Sequence, residues 1–126
     1  MFRAVHHVAI ISANLNRSVE FYVDFLGFKE VHRIKRPERR STVVCLDAGN
    51  ILLELFSFPD QPERLSYPEA VGLRHIAFSV QDLDQIMKYI ESNNVEMTQS
   101  HIDPRTGKRA IFISDPDKLP IEIIEE

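Results

Sequence analysis

The chain contains one cysteine, no tryptophan and four glycines among its 126 residues. A lone Cys45 excludes an intrachain disulfide and a thiolate zinc cluster. It sits in the β-branched run STVVCLD and reads as a small core residue, since no nucleophile motif surrounds it. No apolar run approaches the length of a membrane span, and the N-terminus lacks a signal-peptide pattern, so a cytoplasmic location without a membrane partner is expected. An excess of positive charge is missing too. With 15 Lys and Arg against 19 Asp and Glu, the net charge of -4 gives no reason to expect nucleic acid or an anionic membrane surface as partner.

What is present is enough apolar sequence, 44%, for one domain with a real core or two small packed modules. The chain also repeats itself. HVAIISANL from His7 matches HIAFSVQDL from His75, an offset of 68 that also pairs Ala9 with Ala77, Asn14 with Asp82 and Leu15 with Leu83. The same offset pairs Phe21 with Tyr89, Asp47 with Asp115, and LLELF with PIEII, which superimposes Glu54 on Glu122. Two modules follow, about 1–66 and 71–126, joined by PERLSYPEAVG, whose Pro62, Pro68 and Gly72 punctuate a loop.

Each module reads β-α-β-β-β, an α+β architecture. VHHVAII and LRHIAFSV are β-rich runs. In the first module Leu15, Val19, Tyr22 and Leu26 recur at helical spacing, with Asn14 as N-cap and Gly27 past the end. In the second, Asp82 caps a stripe of Leu83, Ile86, Met87 and Ile90, with Gln85 in capping-box position. Strands are expected at about 28–35, 41–47 and 50–56, then at about 95–101, 109–114 and 119–125.

Strand residues alternate faces. Ile76, Phe78 and Val80 share a bulky face suited to packing; His75, Ala77 and Ser79 share the other. Val8 and Ile10 pack, whereas His7, Ala9 and Ile11 face away. Glu54 lies opposite Ile51, Leu53 and Leu55, and Glu122 opposite Ile121 and Ile123. Each His and each Glu therefore points off the packed face. A lone strand His is usually a core histidine, and a lone strand Glu usually lies on a solvated face. The doubled pair changes that balance. Two imidazoles and two carboxylates on one concave surface suit a divalent transition metal, zinc or nickel first, with cobalt, manganese or iron as alternatives; the imidazoles disfavour magnesium and calcium.

The set HHVAII, SVEFYVDFLGF, LLELF, GLRHIAFSV and DPDKLPIEIIEE resembles the vicinal oxygen chelate superfamily, and within it the small bacterial glyoxalase I-like proteins. The resemblance spans the whole chain, 1–126, as one such domain. It implies two pseudo-symmetric modules whose sheets curve around a metal. By position His7, Glu54, His75 and Glu122 match the glyoxalase I ligand set. The Glu at 54 fits the extradiol dioxygenases, epimerases and fosfomycin resistance proteins of the superfamily less well. Lys118 departs from the glycine that usually follows DPD.

The resemblance implies a lyase or isomerase acting on a small oxo or hydroxy carbonyl adduct. A metal-stabilised enediolate would form as Glu122, assisted by Glu54, moves a proton between neighbouring carbons. A homodimer is expected by the same analogy. The rival reading is a metal-free, ligand-sequestering protein of the bleomycin-resistance kind, against which the complete ligand set counts. The basic run RIKRPERR, with Arg33, Lys35, Arg36, Arg39 and Arg40, reads first as a solvated connection and second as a clamp for a substrate anion. Arg105, Lys108 and Arg109 belong to a surface turn, and His6, His32 and His101, which lack partners in the repeat, read as structural or exposed.

Overall fold

The computed structural model describes residues 1–126, which divide into two compact units, Met1–Glu63 and Arg64–Glu126. The first contains β1 (His7–Ser12), a short helix α1 (Leu15–Val19) and strands β2 (Lys29–Arg36), β3 (Ser41–Asp47) and β4 (Leu52–Ser57). The second contains β5 (Ile76–Val80), helix α2 (Leu83–Ser92) and strands β6 (His101–Ile102), β7 (Arg109–Ser114) and β8 (Pro120–Glu125). Each unit is therefore β-α-β-β-β, as the repeat predicts.

Each unit holds a four-stranded mixed sheet, in the order β1-β4-β3-β2 and β5-β8-β7-β6. The first and last strands of each unit lie parallel, and the others pair antiparallel. The 68-residue offset survives in the register. Ala9 pairs with Glu54 in the first unit, and Ala77 pairs with Glu122 in the second.

The helices cover the bulky faces. Tyr22, Leu46, Leu53, Leu55 and Val44 are fully buried in the first unit, and Leu83, Ile90, Ile111 and Ile121 in the second. Burying such side chains supplies about 1.5–3 kcal/mol each. Asn14 Oδ1 accepts from Arg17 N–H at 3.2 Å and Asp82 Oδ1 from Gln85 N–H at 3.0 Å, so both expected caps form.

Two elements differ from expectation. The first helix keeps α geometry only over Leu15–Val19 and continues as a π-helical segment, Glu20–Phe25. Its end is closed by Leu26 N–H to Phe21 O and Phe28 N–H to Tyr22 O, five- and six-residue spans that seat Tyr22 in the core. The strand expected at 95–101 shrinks to His101–Ile102. Upstream, only Thr98 reaches the sheet: its N–H donates to Phe112 O, and its Oγ1 accepts from Phe112 N–H. The alternation in VEMTQS is a weak strand signal, and side-chain bonding by Thr98 replaces a ladder there.

Candidate metal centre

Glu54 and Glu122 occupy equivalent rows of the two sheets. In the first unit the row is Ala9, Glu54, Cys45, His32, one residue from each strand. Directly paired residues share a face, so all four side chains leave the sheet on the same side. His7 lies two residues before Ala9 and joins them. His7 Nε2 stands 3.5 Å from Glu54 Oε1. In the second unit Ala77, Glu122 and Phe112 form the row, and His75 precedes Ala77 by two. His75 Nε2 stands 3.5 Å from Glu122 Oε1.

The same separation in both units is longer than a good hydrogen bond, which runs to about 3.2 Å. Two donors each bonded at about 2.1 Å to one ion lie about 3.0–3.4 Å apart. At 3.5 Å the donor pairs lie just beyond that spacing, and their nitrogen–oxygen chemistry suits a borderline transition ion. Each unit by itself contributes one such pair, and no three His, Cys, Asp or Glu side chains stand as an assembled metal centre.

The two imidazoles differ in their second nitrogen. His7 Nδ1 meets His6 Nδ1 at 2.9 Å, so one ring donates and the other accepts. With His6 accepting, His7 Nε2 keeps its lone pair toward Glu54. His75 Nδ1 instead meets Arg74 Nη1 at 2.9 Å. Arg is a donor only, so Nδ1 accepts and the ring proton sits on Nε2, facing Glu122. Glu69 holds Arg74 in that position through Nε at 2.8 Å and Nη2 at 3.3 Å.

His101 and His6 are exposed, as the sequence reading allowed, but each stands beside a ligand candidate. His101 Nε2 lies 3.8 Å from Glu122 Oε2, and its ring stacks on Phe112 at 5.8 Å. Phe112 also meets His75 edge-on at 5.2 Å. The buried carboxylate of Glu122 is thus flanked by an imidazole on each oxygen, with Phe112 bracing both rings. The repeat could not reveal His101, because it lies in a segment without a first-half counterpart in register. His32 enters the Glu54 row because a bulge between Glu30 and His32 resets its face. Cys45 is buried, and desolvation, with the Glu54 charge second, pushes its thiol up, so it is a packing residue as expected.

A cavity of about 120 Å³ lies beside Phe112, lined by Arg64, Tyr67, Glu69, Arg74 and Thr98 among others. Arg64 ties its wall together, donating to Leu73 O at 2.8 Å and Arg74 O at 2.9 Å. Two cations of the 103–109 turn are engaged elsewhere. Arg105 pairs with Asp103 at 3.0 Å, and Arg109 with Asp84 at 3.0 Å and Glu125 at 3.2 Å.

Residues 4–123 match the model of the Glyoxalase/Bleomycin resistance protein/Dioxygenase superfamily. The chain belongs to that family. The uncharacterized protein YaeR of Escherichia coli (strain K12) is 46% identical over 98% of this chain and 97% of its own length. The crystal structure of a glyoxalase family protein from Enterococcus faecalis, 39% identical, superimposes with a TM-score of 0.90 over 98% of both chains. The lactoylglutathione lyase of Escherichia coli O157:H7 is 28% identical over 95% of this chain and 90% of its own. The expected α+β fold is therefore the observed one.

Proposed function

We propose that the protein is a metal-dependent, glyoxalase I-like lyase or isomerase acting on a small oxo or hydroxy carbonyl adduct. The observation that carries this reading is the doubled His–Glu pair, 3.5 Å apart in both units at equivalent register. His7, Glu54, His75 and Glu122 would hold the divalent transition ion, zinc or nickel first. When bound, the ion would supply Lewis acidity to the substrate carbonyl.

Glu122 is the general base. Its carboxylate is buried, with His75 3.5 Å from one oxygen and His101 3.8 Å from the other. It takes a proton from the carbon beside the substrate carbonyl and returns it to the next carbon, with Glu54 assisting. The likeness to a lactoylglutathione lyase supports the reaction class. A cytoplasmic homodimer belongs to the same reading.

The test is metal content per chain, by elemental mass spectrometry on tag-free protein, with Glu54→Ala and His75→Ala alongside. One transition metal per chain, lost in both variants, is the expected result. Hemithioacetals and related oxo acids are then assayed under each metal. No metal after reconstitution overturns the reading in favour of a ligand-sequestering protein.

A further inference from the structure

The basic run at 33–40 is resolved by register into cations with different fates. Arg33 is occupied: Glu30 accepts from its Nε at 3.1 Å and Nη2 at 2.9 Å. Lys35 pairs with Thr42, and Thr42 with Ser57, an alternate row that leaves on the helix-covered face. Arg39 and Arg40 belong to the turn between β2 and β3.

Arg36 differs. It pairs with Ser41, two rows beyond the Ile34, Val43, Phe56, Ile11 row and four beyond the row of Glu54. Rows two apart share a face, so Arg36 emerges on the same side of the sheet as Glu54 and His7. Its guanidinium carbon lies 5.8 Å from the centre of the Phe56 ring, which stacks on Phe58 at 5.8 Å and 8°. No carboxylate pairs with it.

Between the His–Glu pair and this guanidinium lies an apolar floor. Ile11 is 54% exposed and Ile34 50% exposed, with Phe56 half-buried between them. Four residues of strand separate Cys45 from Ser41, about 13 Å at 3.3 Å per residue. An unpaired Arg held over an aromatic ring keeps its outward N–H donors for an oxyanion.

We infer that Arg36 is an anion subsite for the ligand of the His–Glu pair. The substrate then carries vicinal oxygens at one end, an apolar spacer of several carbons, and a carboxylate or phosphate at the other. The inference rests on the reading of His7, Glu54, His75 and Glu122 as the reacting end, and it makes Arg36 a specificity residue of the same site.

The test is titration calorimetry on the full chain, with and without added zinc. The probes are 2-oxooctanedioate, 2-oxooctanoate, which lacks the distal carboxylate, and the analogue of the dioate with a distal phosphonate. The dioate or the phosphonate is expected to bind roughly tenfold tighter than 2-oxooctanoate, and the better of the two names the anion. Arg36→Met, which keeps the packing on Phe56, should abolish that preference, and Arg36→Lys should restore part of it. Thermal melts check that both variants fold. Equal binding of probes with and without the distal anion, no binding of any, or a preference surviving in Arg36→Met overturns the subsite. Zinc stoichiometry is read in the same titrations. A chain that takes up no zinc but keeps an Arg36-dependent preference removes the metal reading and leaves the subsite standing.

Discussion

His7 Nε2 and Glu54 Oε1 are 3.5 Å apart, and the equivalent atoms of His75 and Glu122 repeat that distance. The pairs differ in exposure. The side chain of Glu54 is 27% exposed and that of Glu122 9%. Two carboxylates of one chemistry thus sit in unlike surroundings, which fits the proposed roles of Glu54 as the better-solvated ligand and Glu122 as the base shielded from water. Glu122→Gln should retain metal and lose turnover by roughly 10²–10⁴-fold. Glu54→Gln should lose metal affinity first. Side-by-side metal content and turnover of the two variants check this, and full activity in Glu122→Gln removes its role.

The contact of Arg74 with His75 sets a condition on metal uptake. With Arg74 donating to Nδ1, the proton of His75 lies on Nε2, the nitrogen that faces Glu122. Metal ligation through Nε2 requires Nδ1–H, and then Arg74 must turn away toward Glu69 alone. Arg74→Met should therefore bind zinc more tightly, by roughly tenfold, measured by competition with a chelator of known affinity. Unchanged or weaker zinc binding in this variant contradicts the tautomer assignment.

His6 should act in the opposite sense. Its Nδ1 lies 2.9 Å from His7 Nδ1, and with His6 as the acceptor the His7 proton is held on Nδ1, away from Glu54. His6→Ala should weaken zinc binding by roughly 10–100-fold with little change in melting temperature. His6→Gln, whose carbonyl still accepts, should recover part of it.

The four ligand candidates were legible because the repeat is a property of the chain and strand alternation is a property of the backbone. A 68-residue offset together with a period of two is enough to place His7, Glu54, His75 and Glu122 on the unpacked faces. The strand at 101 was not legible in length, since Thr98 bonds through its side chain where a ladder was expected. Arg36 and His32 were hidden for a different reason. The bulge between Glu30 and His32 shifts the alternation of β2 by one, and no residue pattern in KEVHRIKR marks where it falls. Tyr22 was placed in the helix stripe, but the π geometry that buries it comes from packing rather than propensity.

Acid stability should depend on the start of α2. Glu125 accepts from Leu83 N–H at 2.9 Å and pairs with Arg109, and these hold its carboxyl below the ordinary value, the backbone bond first. Asp84 is lowered by the same Arg109. A carboxylate whose folded value is depressed stabilises the fold above its ordinary value and loses that contribution as pH falls through the folded one. Glu125→Gln should therefore melt lower than the parent at neutral pH, and the gap should close below about 4.5, the unperturbed value. Melting curves from pH 3 to 7 check this; a gap independent of pH refutes it.

Lys118 occupies left-handed backbone, with φ of 69°. The turn does not use its side chain. Asp115 Oδ1 accepts from Asp117 N–H at 2.8 Å and Leu119 N–H at 2.9 Å, and Lys118 contributes its own N–H to Asp115 O at 3.0 Å. Its carbonyl receives the Ser66 hydroxyl at 2.7 Å, a backbone contact any residue keeps. Left-handed geometry costs a side-chain-bearing residue roughly 1–2 kcal/mol, offset in part by the greater entropy that glycine loses on folding. Lys118→Gly should therefore stabilise the protein by roughly 0.5–1 kcal/mol, read as a higher urea midpoint with an unchanged slope. A lower midpoint would mean that the ammonium group makes an interaction worth more than the strain, and long-range charge would then have to be sought at this turn.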